Sequence, residues 1–317
     1  MIEVANLTKD FGATRALDGV SFTVARGETV GLLGPNGSGK TTLMRVLTGF
    51  FPPTAGYVRI DGRDGTTHGL ALRRRIGYLP EHVVLYPDMR VRQFLRFGLD
   101  VRRTPAPAAR LEQALLECGL TEVADRLIGS LSKGYRQRVG LAQAIAHQPD
   151  VLILDEPTIG LDPRQVMELR ALVRAWRGRA TVLLSSHVLP EVAVTCERVV
   201  IMNRGRLVAQ DTAAALGTRV QGDDRTRLRV RAPSAAVCAL VGTVPGVVRV
   251  DAVVGEGGDV AAGICTVDVH TAAGEATRAA LAAAVVARGW DLVELRPLAL
   301  TLEELFVQLV PPEEPQA

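Results

Sequence analysis

The sequence predicts an α/β protein carrying a smaller α+β module at its end, and three stretches lead to that expectation. Thr29–Leu33 reads as a short buried strand; it runs into the glycine-rich segment Gly34–Gly39, and a helical run from Lys40 to Leu47 follows and stops at Gly49. Val151–Leu154 and Thr181–Ser186 are continuous apolar runs of the sort buried on both faces of a parallel sheet, with the helical stretch Arg164–Trp176 between them. Past a break at Gly217–Asp224 the pattern becomes strand, helix, strand, strand, helix, strand.

Taken in order, residues 1–33 alternate short β-like pieces with turns: Ile2-Glu3-Val4, Val20–Val24 and the strand into the glycine-rich loop. Tyr57–Ile60 followed by Asp61-Gly62 is a strand with a turn signal, and Ile76–Leu79 is a strand that ends at Pro80. From Val91 to His147 the pattern is helical. Arg110–Cys118 has 3.6-type spacing and stops at Gly119, and Thr121 reads as the N-cap of the next segment. Beyond the break the expected strands are Arg227–Arg231, Val247–Val253, Ile264–Val269 and Leu292–Leu295, and the helices are Ala235–Gly242 and Glu275–Ala287. That order is the one of a ferredoxin-like module. A last helix, Leu302–Leu309, precedes a Pro/Glu tail expected to be disordered. The expected division is 1–217, with a helical part at about 82–147, then 225–310, then the tail 311–317.

Composition narrows the function classes. The chain has 317 residues, 47% of them hydrophobic and 22% charged, enough to bury a core in each of two domains. A net charge of +3, with scattered arginines and lysine only at Lys9, Lys40 and Lys133, gives no footprint for nucleic acid. Cys118, Cys196, Cys238 and Cys265 lie far apart, which suits a reducing compartment and offers no zinc site or disulfide framework. The N-terminus lacks the basic and apolar regions of a secretory signal, and no apolar run is long enough to span a bilayer. The expectation is a cytosolic chain that reaches any membrane through a partner.

The glycine-rich segment Gly34-Pro35-Asn36-Gly37-Ser38-Gly39-Lys40-Thr41-Thr42 matches G-x-x-x-x-G-K-[ST]. Glycines let the backbone turn tightly enough to aim several N–H groups at phosphate oxygens, and the helix N-terminus adds its positive dipole end. Lys40 supplies charge for the outer phosphates, and the Thr41 hydroxyl is a candidate ligand of Mg²⁺. Nucleotide binding follows from this segment alone; the reaction does not.

Further motifs narrow it. Leu131-Ser132-Lys133-Gly134-Tyr135 opens a helical run to His147; then come Val151–Leu154, Asp155-Glu156-Pro157-Thr158, Gly160-Leu161-Asp162 and, after a strand, His187. In this order the motifs resemble the ATP-binding cassette of ABC ATPases, over about residues 1–215. Tyr78-Leu79-Pro80-Glu81 and Leu131–Tyr135 are similar to the variants of the gliding-motility-associated and drug-exporter branch. The resemblance implies ATP and Mg²⁺ as ligands, with Asp155, Thr41 and Glu81 near the metal, Glu156 orienting the attacking water, and His187 aligning Glu156 with the γ-phosphate. It implies that Phe11 stacks on adenine. Ser132 and Gly134 would face the nucleotide of a second subunit, and Asp162 would link the two sites. The expected partners are a second copy, or a homologous ATPase subunit, and an integral membrane permease docked on residues 82–130 at the inner face of the cell membrane. Two departures stand out: Glu81 replaces the family's usual Gln, and Lys133-Gly134-Tyr135 replaces Gly-Gly-Gln.

Several of these positions also have a blander reading. Phe11 could be a core aromatic, Glu81 a solvated loop acid, and Lys133 and Tyr135 ordinary surface; His68, His82, His147 and His270 are read as structural. An exporter is the leading function, an importer with a regulatory C-terminal domain the alternative. A chromosome-organising protein would need a long coiled coil between the motifs, and a translation factor usually carries two cassettes. Intact Glu156 and His187 speak against a binding module without chemistry.

Overall fold

The computed structural model describes residues 1–65, 69–212, 215, 224–253, 263–271 and 274–298, which fall into two compact units, one up to Thr212 and one holding 224–298. His68, the break at 217–223, the helix expected at 302–309 and the tail lie outside the described residues.

In the first unit the chain begins with a hairpin, β1 (Ile2–Phe11) and β2 (Thr14–Val24), and enters β3 (Thr29–Leu33) and α1 (Lys40–Leu47). There follow β4 (Ala55–Ile60), β5 (Arg63–Asp64), α2 (Gly69–Arg75) and β6 (Ile76–Leu79). A helical stretch holds α3 (Val91–Val101), α4 (Pro107–Glu117) and α5 (Lys133–Ile145). The unit finishes with β7 (Val151–Leu154), α6 (Pro163–Ala175), β8 (Thr181–Ser186), α7 (Leu189–Thr195), β9 (Arg198–Asn203) and β10 (Arg206–Asp211). The hairpin strands run well past the short β pieces expected from sequence, because polar residues such as Lys9 and Asp10 keep pairing with Leu17 and Arg15 of β2. Thr121 is the first residue of a 3₁₀ turn and not its cap; Leu120 holds that place and no side chain caps the turn.

Two sheets enclose α1. The six-stranded sheet has the order β10-β9-β3-β8-β7-β6, parallel except for the edge strand β10. The four-stranded sheet, β2-β1-β4-β5, is antiparallel. One continuous core joins Leu43, Met44, Val46 and Leu47 of α1 to Val4, Leu17, Val20 and Ile60 on one side and Val30, Leu32, Leu183 and Val200 on the other. Burying such side chains contributes about 1.5–3 kcal/mol each. It fixes α1 with its N-terminus at the carboxyl ends of the parallel strands, where open α/β sheets place ligands.

The second unit comprises β11 (Asp224–Arg231), α8 (Ser234–Val241), β12 (Val247–Val253), β13 (Ile264–Thr271), α9 (Gly274–Ala287) and β14 (Asp291–Leu298). The antiparallel order β12-β13-β11-β14 is that of a ferredoxin-like sheet. Strand alternation divides its faces. Leu228 and Val230 meet Val237, Val241, Leu281 and Val285 of the helices. On the other face Arg227 forms a two-pronged pair with Asp268 directly across the ladder (2.8 and 2.9 Å), and Arg229 reaches Glu294.

His147 follows α5 and presents Nε2 to the Ile76 carbonyl at 3.2 Å, while its Nδ1 is buried without a partner. Burial, then the nearby Arg102 charge, pushes its pKa down to about 4. A second ring N–H would find no acceptor there, so the folded chain holds the ring neutral. An unfolded histidine titrates near 6.5 and binds a proton that the folded one refuses. The contribution to stability is therefore full above about pH 6.5 and is lost as pH falls toward 4, with a ceiling of roughly 3 kcal/mol. Urea unfolding at pH 7.5 and 4.5 is expected to give a smaller acid loss in His147→Gln than in the parent chain; an equal loss would remove His147 as the cause.

Candidate active site

The phosphate-loop segment is shaped by contacts that only glycine permits. Gly39, the N-cap of α1, has φ +100°, and a Cβ there would lie 2.7 Å from the Ala16 carbonyl oxygen. A Cβ on Gly34 would lie 2.5 Å from both the Met202 oxygen and Ser38 Oγ. No side chain caps α1 and no acid stands in its first turn, so the N–H groups of Lys40, Thr41 and Thr42 face an open cleft. That cleft, of about 460 Å³, is lined by Asn36, Gly37, Ser38, Gly39, Lys40, Thr41 and Thr42, and from other elements by Ala16, Glu81, Glu156, Ile159 and His187.

Parallel register brings the acids to the same place. Leu79 pairs with Leu154, Leu154 with Leu184, and Leu33 with Ser186, so β6, β7, β8 and β3 all end at the cleft. Asp155 and Glu156 follow β7 directly and are buried. Asp155 Oδ1 accepts from the Ser185 hydroxyl at 2.7 Å and from the Thr41 hydroxyl at 3.3 Å. Burial raises the Asp155 pKa, and those two hydrogen bonds oppose the rise. Glu156 holds φ +45°, a region non-glycine residues seldom occupy, and its N–H donates to Ser185 Oγ at 2.9 Å. Its carboxylate bridges two cations or donors: Oε1 lies 3.4 Å from Lys40 Nζ, and Oε2 lies 2.9 Å from His187 Nδ1. Lys40 also donates to the carbonyl oxygens of Gly34 (2.7 Å) and Pro35 (3.1 Å).

Most residues singled out in the sequence thus converge, and a few do not. Glu81 lines the cleft and lies 3.8 Å from His82, which stands in solvent. Phe11 lines no part of the cleft; its ring, 42% exposed, meets Phe51 edge-on at 5.2 Å with Lys9 above it. Ser132 caps α5, accepting from the Tyr135 N–H at 3.4 Å, but neither it nor Gly134 lines this cleft. Gly134 packs against Gln165, whose side-chain end lies 2.6 Å from where a Cβ would stand. Asp162 caps α6 by accepting from the Gln165 N–H at 2.9 Å. The Lys133 side chain lies across Gly160, which joins the start of α5 to the loop before Asp162.

Three supporting groups escaped the sequence reading. Gln137 donates to the Pro157 carbonyl from a buried position on α5. Glu191 accepts from the Thr158 hydroxyl at 2.6 Å and pairs with Arg170, tying the loop after Glu156 to α7. Ser185 is the third. Its one sequence signal is a hydroxyl directly after the apolar run Val182–Leu184.

The donor set fits a divalent cation. Asp155 Oδ2 is buried with no hydrogen-bond partner, the Thr41 hydroxyl touches the same carboxylate, and Glu81 adds a hard oxygen across the cleft. Among the described residues no group of three His, Cys, Asp or Glu side chains could hold a metal by itself. A cation here would take most of its shell from phosphate oxygens and water, which is the habit of Mg²⁺.

Comparison with known proteins agrees with this geometry. The family model described as ABC transporter matches residues 17–159. The chain is 41% identical over 214 residues to the sulfate/thiosulfate import ATP-binding protein CysA of Rhodopseudomonas palustris, covering 65% of this chain and 61% of that protein. It is 40% identical over 221 residues to the Nod factor export ATP-binding protein I of Burkholderia lata, covering 68% of this chain and 72% of that one. Among solved structures it resembles the dimeric post-hydrolysis state of the ATP-binding cassette MJ0796 bound to ADP and Pi, with TM-score 0.60 and 25% identity over 67% of this chain and 98% of that chain.

The Lys40–Glu156 pair makes the nucleotide-free chain sensitive to either partner alone. Lys40→Met leaves Glu156 buried with only His187 beside it and should cost about 3–5 kcal/mol in urea unfolding. Lys40→Met combined with Glu156→Gln should recover most of that loss; a double variant as unstable as the single one would show that the pair is not the cause.

Proposed function

The chain belongs to the ABC transporter family as one of its ATP-hydrolysing subunits, and from that premise we propose that two copies close around ATP to drive a separate membrane permease, working as an exporter. The observation that supports the chemistry most directly is the line Lys40–Glu156–His187 beside the open N-terminus of α1. The outer phosphates of ATP compete with Glu156 for Lys40, while the α1 N–H groups receive phosphate oxygens. Glu156, released from the ammonium, keeps its contact with His187 and its backbone bond to Ser185. It orients a water and accepts hydrogen bonding from it as the oxygen attacks the γ-phosphorus; the bond to the β-phosphate oxygen breaks, giving ADP and phosphate. A bound Mg²⁺, held by Asp155 and Thr41 with Glu81 nearby, would neutralise charge on the phosphate oxygens.

Closure is proposed to use Ser132 and Gly134 from one copy against nucleotide held by the other, with C2 symmetry. Their exclusion from the chain's own cleft is what such a shared site needs. Asp162, at the start of α6 and next to Gly134 through Gln165, then lies in the same surface. Phe11 is proposed to leave Phe51 and stack on adenine, for which its exposed ring is suited. Among the described residues no helix is long and apolar enough to cross a membrane; the permease is proposed as a separate chain. Phe97, Val101, Tyr86 and Val84 expose apolar surface on the helical region and support docking there. The exporter reading draws on the Tyr78–Glu81 and Leu131–Tyr135 variants and on the export relative; the import relative keeps the other direction open to test. The ferredoxin-like unit is proposed as an accessory domain spanning about 225–310.

Glu156→Gln is expected to keep ATP binding, to lower turnover about a hundredfold or more, and to run as a dimer on gel filtration with ATP and Mg²⁺. Turnover at the parent rate would remove Glu156 from its role. Directed uptake or extrusion, assayed in vesicles holding the permease, decides the direction of transport.

A further inference from the structure

Ser185 sits in β8 with its side chain wholly buried, and its hydroxyl makes two bonds at once. It donates to Asp155 Oδ1 at 2.7 Å and accepts the Glu156 backbone N–H at 2.9 Å. The register explains why it can reach both. β8 lies between β3 and β7, Ser185 pairs with Leu32, and the preceding Leu184 pairs with Leu154, the last residue of β7. The hydroxyl therefore stands level with the point where β7 gives way to Asp155 and Glu156.

At that point the two neighbouring strands divide the work. The Asp155 N–H continues the ladder to the Leu79 carbonyl at 2.8 Å on the β6 side. The Glu156 N–H turns the other way, and a side chain receives it in place of a backbone carbonyl. This lets the backbone leave the strand at φ +45° and swing the Glu156 carboxylate toward Lys40 and His187. A conformation of that kind persists only when its surroundings hold it. Ser186, the next residue, is used differently: its hydroxyl accepts the Val188 N–H and belongs to the loop that carries His187.

We propose that Ser185 is a positioning residue for ATP hydrolysis, its single hydroxyl fixing the Asp155 carboxylate and the Glu156 backbone in one relation so that the two acids act as a unit. The inference rests on the roles given to those acids above. Ser185 lines no part of the cleft and acts only through them.

The test uses the full chain and two substitutions of the same shape, Ser185→Thr and Ser185→Val, with Ser185→Ala as a second hydroxyl-free variant should the valine not fold. A fluorescent ATP analogue is titrated with and without Mg²⁺, and kcat and KM are measured beside it. Metal-free binding should stay within about twofold in every variant, because the loop and α1 are untouched. The gain in affinity on adding Mg²⁺ should fall about tenfold without the hydroxyl, KM for ATP with Mg²⁺ should rise by about the same factor, and kcat should fall about ten- to a hundredfold, the scale of one hydrogen bond to a charged group. Ser185→Thr should keep both. The proposal is overturned if hydroxyl-free variants retain the metal response and kcat, or if the threonine variant falls as far as they do. Glu156→Gln run alongside separates the failures. If it hydrolyses normally, the role given to Glu156 falls and this inference with it; if it is inactive while the Ser185 variants behave as the parent, only Ser185 is dismissed.

Discussion

Two adjacent carboxylates, Asp155 and Glu156, are taken out of water at the end of β7, and the first unit is arranged around the cost of that burial. An isolated buried charge is expensive, so each must find donors or opposite charge within reach. Glu156 has an ammonium on one oxygen and an imidazole on the other. Asp155 has two hydroxyls on one oxygen and nothing on the second. Each acid thus keeps one buried oxygen without a hydrogen bond; that of Glu156 faces an ammonium at 3.4 Å, whereas that of Asp155 has no such charge beside it.

The same economy explains Lys40. Its ammonium lies under the loop, held by the Gly34 and Pro35 carbonyls and by Glu156, and it is buried before any phosphate arrives. A phosphate entering at α1 meets helix N–H groups that are already aimed and a cation whose present partner is the group that must be free to meet water. In the proposed reaction, binding and activation of Glu156 are linked through one competition for one ammonium. The contact between Lys133 and Gly160, the glycine contact between Gly134 and Gln165, and the Asp162 cap join α5, the loop before α6 and α6 itself. Gln137 and Glu191 tie this group to the loop that follows Glu156.

The second unit solves a plainer problem. Its helices cover one face of a four-stranded sheet, and the other face carries Arg227 against Asp268 and Arg229 against Glu294. Cross-strand pairs of opposite charge keep that face soluble and hold the register, since a one-residue slip would bring the arginines under the helices.

Local pattern alone determined much of this protein. Continuous apolar runs announced β3, β7 and β8 within their own bounds, the glycine-rich segment announced the loop and α1, and strand and helix order announced the sheet of the second unit. Such features are legible because each depends on neighbours a few residues away. Distant contacts were not. The sequence places Phe11 before the loop but cannot say that its ring rests on Phe51; it marks Gly134 as a close approach without naming Gln165; it leaves Ser185 as one of two serines closing a strand. Only the order of strands in the sheet, with β8 set between β3 and β7, brings that hydroxyl to the two acids, because hydrogen bonds across a parallel sheet join segments that the chain itself keeps 30 residues apart.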